Sequence, residues 1–211
     1  VCAGQQLPQQ FTHRAFAALF AVPGNTKECT TMEKTYTLHV AGLTRVLPIC
    51  PIGDGVSIAS FVMLGDVELT VACAAELLKK VPEFDVIVTA EAKGIPLAYE
   101  MARQSGKQYF PARKGPKLYM QEAVIVEDKS ITTEGQQKLV IDKQDLLSMD
   151  GKKILVVDDV ISTGGSLRAL EMLVGYSRGT VVGRAAVLAE GDAAKRTDII
   201  FLEELPLFFD N

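Results

Sequence analysis

ILVVDDVISTGGS, residues 154–166, runs from an apolar strand through two adjacent acids into a turn of small residues. Ile154 to Val157 show no polar alternation, the pattern of a strand covered on both faces. Such a strand delivers Asp158 and Asp159 to the edge of a sheet. Ser162, Thr163, Gly164, Gly165 and Ser166 then form a turn that opens a helix, with Leu167, Leu170, Leu173 and Val174 as its apolar face. Glycines let backbone amides crowd an anion, hydroxyls add donors, and a helix N-terminus adds partial positive charge. That turn suits a phosphate monoester. The two acids cannot share the task, because like charges repel. They suit the hydroxyls of a ribose, directly or through Mg²⁺. Piece by piece the string also reads as a tight strand-to-helix turn; taken whole, it asks for a ligand with both a phosphate and a diol. Neither GxxxxGK[ST] nor GxGxxG occurs in the chain, so the loop is not one of those nucleotide cradles.

Outward from this string, strands and helices alternate. Asp66 is placed to cap a helix carrying Val67, Val71, Ala74, Leu78 and Val81 on one face. VIVTA (86–90) reads as a buried strand and EAKG (91–94) as a loop. A helix with Pro96 near its first turn follows and ends around Gly106, and QYFPA (108–112) reads as a strand. LYMQEAVIVED and QKLVID, joined by the polar KSITTEGQ, look like an extended flap over about 114–140. TVVGRAAVLA (180–189) and IIFLEELPLF (199–208) supply later strands. This order predicts an α/β fold with a doubly wound, mainly parallel sheet. Ligands of such sheets bind in the crevice at the carboxyl ends of the strands. The loops after residues 90, 112 and 157 are therefore expected to share one crevice.

Composition narrows the function. The 211 residues are 48% hydrophobic and 23% charged, with 22 Lys and Arg against 26 Asp and Glu, a net charge of −4. A disordered, collagenous or coiled-coil chain is excluded. No apolar run reaches the ~18 residues of a spanning helix, so no membrane is expected as partner. The acidic balance argues against nucleic acid, whose affinity comes largely from cationic contacts to phosphates. Cys2, Cys29, Cys50 and Cys73 form no CxxC pair, and with two His in the chain a zinc site is not expected. They read as reduced thiols of a cytoplasmic protein. Residues 1–31 carry two cations, Arg14 and Lys27, and one acid, Glu28. They read first as a leader translated upstream of a start at Met32. An N-terminal arm with one amphipathic helix comes second, and a targeting peptide third. Residues 32–211 are then one domain.

The thirteen-residue string resembles the phosphoribosyl pyrophosphate motif of the type I phosphoribosyltransferases: an apolar strand, two acids, two variable residues and a hydroxyl-Thr-Gly-Gly-hydroxyl turn. The resemblance implies that Asp158 and Asp159 contact the ribose hydroxyls and that Ser162 to Ser166 hold the 5′-phosphate. IVTAEAKGIPLA (87–98) is similar to the family's pyrophosphate loop, at Glu91, Ala92, Lys93 and Gly94. Lys93 stands where adenine-specific members commonly carry Arg; it keeps the cation and loses the bidentate fork. YFPARKGPKLY (109–119) resembles a segment of the purine enzymes that supplies Arg113 and Lys114 to pyrophosphate and Lys117 as a mobile-loop cation. As isolated residues, these cations equally read as solvated surface charges. The three segments come in the family's order, each after an expected strand.

The resemblance implies a small hood beside the sheet, a flexible β-flap, a homodimer, and transfer of the phosphoribosyl group to a purine base in purine salvage. Adenine is the first candidate base and xanthine the second. Asp158, Asp159, Arg113 and Lys93 would carry catalysis. Mg²⁺ would be held mainly through the substrate, with Asp158 or Asp159 reached through water. The segment before the sheet, PICPIGDGVSIASFVMLGD (48–66), departs from the adenine-specific pattern and is somewhat closer to the xanthine enzymes. Phe61 could stack on the base, although a lone Phe in an apolar segment is more often core. The alternative function is a regulator that senses phosphoribosyl pyrophosphate without turnover. Such relatives usually append a DNA-binding domain, for which the stretch before Met32 has no room.

Overall fold

The computed structural model describes residues 34–128 and 137–210. The proposed leader or arm (1–31) and the connection KSITTEGQ (129–136) lie outside the described residues. The chain order opens with three strands that the sequence reading did not assign: β1 (Thr35–Val40), β2 (Leu43–Gly53) and β3 (Val56–Ala59). Then come α1 (Val67–Leu78), β4 (Val86–Ala90), α2 (Gly94–Ser105) and β5 (Gln108–Ala112). The antiparallel pair β6 (Ala123–Asp128) and β7 (Gln137–Asp142) leads into a short α3 (Lys143–Ser148). The chain closes with β8 (Lys153–Ile161), α4 (Gly165–Val174), β9 (Thr180–Glu190), a 3₁₀ turn (Gly191–Lys195), β10 (Ile200–Leu205) and β11 (Leu207–Phe209).

The central sheet has the order β10-β9-β8-β4-β5, and each neighbouring pair is parallel. β4 is buried at all five positions, as its unbroken apolar run predicts. Side chains alternate between two cores. Ile87, Leu155 and Val157 face one that includes Leu69, Leu77, Leu97 and Met101 of α1 and α2. Val86, Val88, Ile154 and Val156 face the other, with Leu167, Leu170, Leu173 and Val174 of α4 and with Leu139 and Ile141 of β7. This alternation is the period of two inherent in a strand. A second, antiparallel sheet of order β1-β2-β3-β11 forms the small hood.

Four expectations are corrected. The acid pair does not follow the strand but lies within it: Asp158 pairs in register with Ala186, and Ile161 with Ala189. The eleven-residue β9 extends the ladder beside Val160 and Ile161, both β-branched, so β8 continues past the acids. Second, Val67 and Val71 of α1 are 73% and 40% exposed, and the buried stripe is Leu69, Cys73, Ala74 and Leu77. VELTVACAAELL is apolar on more than one face, so periodicity alone could not choose; packing against α2 and the sheet did. Third, residues 199–208 are two strands in two sheets, broken at Pro206, which has no N–H for a ladder. Fourth, Leu118 to Glu122 are not strand, so the first ribbon of the flap starts at Ala123; the second, QKLVID, is β7 as expected, and the Asp142 carboxylate at its end accepts from Gln144 N and caps α3.

Candidate functional site

A cavity of about 330 Å³ opens at the carboxyl ends of the central strands. The loops after β4, β5 and β8 meet there, contributing Glu91 to Lys93, Lys114, and Ser162 with Ser166. This is the shared crevice that the strand order predicts. Asp158 and Asp159 line it from β8. The facing wall is hood, Ile58 to Phe61, with Leu205 and Glu190 beside it.

Asp159 is 5% exposed, and its backbone N–H donates to Asp158 Oδ1 at 3.0 Å. Burial raises both carboxyls above the usual carboxylate range. The neighbouring Asp159 charge raises Asp158 further, and the Lys93 ammonium pulls both back. Asp159 Oδ2 is buried with no hydrogen-bond partner. A buried carboxylate left so needs a donor or a cation. Hydroxyls of a sugar meet that need, and so does Mg²⁺, which is held by one or two carboxylates plus substrate oxygens. No group of three or more His, Cys, Asp or Glu able to hold a metal occurs among the described residues. The buried carboxylate pair with its unpartnered Asp159 oxygen is a donor set that fits Mg²⁺ shared with a phosphorylated ligand.

In the turn after β8, Ser162 and Ser166 reach the cavity, whereas Thr163, Gly164 and Gly165 do not line it. Gly164 caps α4 with φ +76°, and a Cβ there would stand 2.9 Å from Arg196 Nη1. The positive φ favours glycine there. Arg168 Nη1 donates to the Thr163 carbonyl at 3.0 Å. Arg196 makes a bidentate pair with Asp198, at 2.9 and 2.7 Å. These two guanidinium groups beside the turn were not found from the sequence, because they come from positions outside the motif.

The loop after β4 has a cis peptide between Glu91 and Ala92. Gly94 opens α2 directly against β8: a Cβ there would lie 2.3 Å from Thr89 Oγ1 and 2.9 Å from Asp158 Oδ1. Thr89 Oγ1 is itself buried without a hydrogen-bond partner. The cations of the next loop divide. Lys114 lines the cavity, and its backbone N–H donates to Glu91 Oε2 at 2.9 Å. Arg113, expected at the pyrophosphate, does not line the cavity: its Nη2 pairs with Glu91 Oε1 at 3.1 Å. Its backbone exchanges two 2.7 Å hydrogen bonds with Val140 of β7. Lys117 is half-buried and outside the cavity wall. The Lys114 N–H holds the Glu91 carboxyl below its usual range against the effect of burial, helped by the charges of Arg113, Lys117 and Lys114.

Phe61 is 4% exposed and belongs to the core around α1 and α2, with only its margin on the cavity. Of the two readings that the sequence offers for Phe61, base-stacking and core, its burial fits core, while it still lines the cavity. Glu190 was missed. It ends β9, and the logic that singled out Asp158 and Asp159, an acid at the carboxyl end of a buried parallel strand, would have found it.

The sequence profile of the phosphoribosyl transferase domain matches residues 68–205. An adenine phosphoribosyltransferase of Mycoplasma capricolum is 34% identical over 134 residues, 64% of this chain and 70% of that protein. One of Rhodococcus jostii is 35% identical over 122 residues, 58% of this chain and 63% of that protein. Among solved structures, the adenine phosphoribosyltransferase of Thermoanaerobacter pseudethanolicus superposes with a TM-score of 0.63 at 25% identity, covering 75% of this chain and 95% of that one.

Proposed function

The chain belongs to the phosphoribosyl transferase family, and from that premise we propose that it transfers the phosphoribosyl group of phosphoribosyl pyrophosphate to a purine base, adenine first, with release of pyrophosphate. The observation that carries this reading is one cavity in which a buried carboxylate pair, with Asp159 Oδ2 unsatisfied, adjoins a hydroxyl-bearing turn and a cationic loop. Asp158 and Asp159 accept from the 2- and 3-hydroxyls of ribose. The turn from Ser162 to Ser166 holds the 5′-phosphate through its hydroxyls, its amides and the start of α4. Lys93 and Lys114 face the pyrophosphate. Arg113 joins them by leaving Glu91, and Lys117 by a movement of the flap.

The reaction passes through an oxocarbenium-like state at C1, so no protein nucleophile is required. The chain's part is positioning and the stabilisation of charge that develops on the leaving pyrophosphate. Mg²⁺, when bound with the substrate beside Asp158 and Asp159, supplies further positive charge to the phosphate oxygens. Closure of the flap would exclude water, which otherwise hydrolyses the activated sugar. With this reading come a homodimer and a cytoplasmic place in purine salvage. No described helix is long and apolar enough to cross a membrane.

The test is pyrophosphate release from phosphoribosyl pyrophosphate and Mg²⁺ across adenine, hypoxanthine, guanine, xanthine, uracil and orotate. Release with adenine is expected. Binding of phosphoribosyl pyrophosphate with no release for any base would replace the transferase by a sensor.

A further inference from the structure

Glu190 is half-buried in the cavity, and among the described residues nothing donates a hydrogen bond to it or forms an ion pair with it. Of the other cavity acids, Glu91 is engaged by Arg113 and Lys114 and Asp158 by the backbone of Asp159, while Asp159, whose Oδ2 is unpartnered, belongs to the pair read as holding the ribose. The sheet register fixes where Glu190 stands. Ala189 is level with Ile161, the last residue of β8, so Glu190 is level with the start of the phosphate turn. On its other side it pairs with Leu205, another cavity residue. It lines the same cavity as Ile58, Ala59, Ser60 and Phe61 of the hood wall.

That wall is apolar except for Ser60, as a flat heteroaromatic ring requires. A ribose held by the acid pair leaves the hood side of the cavity for the base. Glu190 is then the charged group placed to read the edge of the ring. A carboxylate accepts hydrogen bonds and repels oxo or carboxylate oxygens. If protonated, it also donates, and matches an amino group beside a ring nitrogen. Burial raises the Glu190 carboxyl above its ordinary value, with the Lys93 charge opposing.

We propose that Glu190 accepts a hydrogen bond from the 6-amino group of the base and makes this cavity selective for an aminopurine over oxopurines and orotate. The inference rests on the transferase reading only for the placement of the ribose. A site built to pair an amino group rejects the analogue lacking it, because its own polar group is left unpaired.

The test is calorimetric binding of AMP, IMP and ribose 5-phosphate to the wild-type chain and to Glu190→Gln. The wild type should bind AMP about 10-fold or more tighter than IMP. In Glu190→Gln the amide can donate to an oxo group, so the ratio should fall to within about 3-fold while ribose 5-phosphate binds as before. An unchanged ratio in the variant, no preference in the wild type, or a parallel loss of ribose 5-phosphate binding would each overturn the assignment. Product binding needs no turnover, so it separates this outcome from a failure of the base panel for pyrophosphate release.

Discussion

Asp159 keeps a carboxylate at 5% exposure with one oxygen unsatisfied, a cost the fold bears at the place where a ligand supplies donors. Burial raises the carboxyls of the pair, so the native state favours the protonated form. The pair therefore burdens stability as pH rises from the unfolded carboxylate range through the raised native values. Asp159→Asn should remove part of that burden: its thermal midpoint at pH 8 should equal or exceed that of the wild type. Turnover should fall by about 100-fold or more. Differential scanning fluorimetry and the pyrophosphate assay read the two, and wild-type-like turnover would take Asp159 out of the site. Gly94 is the other decisive residue. A methyl group 2.3 Å from Thr89 Oγ1 and 2.9 Å from Asp158 Oδ1 forces α2 away from β8. Gly94→Ala should cost about 1–3 kcal/mol in urea unfolding and weaken phosphoribosyl pyrophosphate binding with it, because Asp158 moves too. A variant with unchanged unfolding and unchanged affinity would contradict this packing. The motif string made Asp159 legible as a site residue. The reason for Gly94 was not legible, since the atoms it avoids belong to β4 and β8.

At the scale of elements, α1 shows how local and tertiary signals divide. Its start was readable because a cap is local: the Asp66 carboxylate accepts from Leu69 N at 3.0 Å. Its buried face was not, because the apolar residues wrap the helix. Asp66 also ties the helix to the hood, pairing with Arg45 of β2 at 2.7 and 3.0 Å, and Arg45 reaches Glu68 at 2.8 Å. The Arg45 guanidinium holds the Asp66 carboxyl below its usual range, against burial. A lowered native value means that the contribution is fully present above the unfolded carboxylate range, about pH 4, and is lost as pH falls through the native value. Asp66→Ala should cost about 1–2 kcal/mol at pH 7. Between pH 5 and pH 2 its urea midpoint should fall less steeply than that of the wild type. Parallel pH profiles would show that Asp66 contributes no acid sensitivity. The strand boundaries tell the same story: β8 outlasts its apolar run because β9 continues beside it, and β10 gives way to β11 where Pro206 interrupts the ladder.

Across the whole molecule, the cavity is an assembly of distant segments. Its floor comes from β8 and the turn after it, its cationic side from loops after β4 and β5, and its roof from residues 58–61 of the hood. The hood itself joins β3 to β11, pairing Ile58 with Leu207 across most of the described chain. The parallel sheet, the order of its strands with their helices, and the acid pair followed by a small-residue turn were determined by the sequence alone. Their signals are local: unbroken apolar runs, caps, glycines and adjacent acids act within a few residues. Tertiary structure alone decided which stripe of α1 is buried, that Arg113 is bonded to Glu91 instead of facing the cavity, and that Glu190 shares a cavity with the hood. Each of these depends on which atoms from far along the chain arrive as neighbours, and burial, pairing and charge are properties of those neighbours.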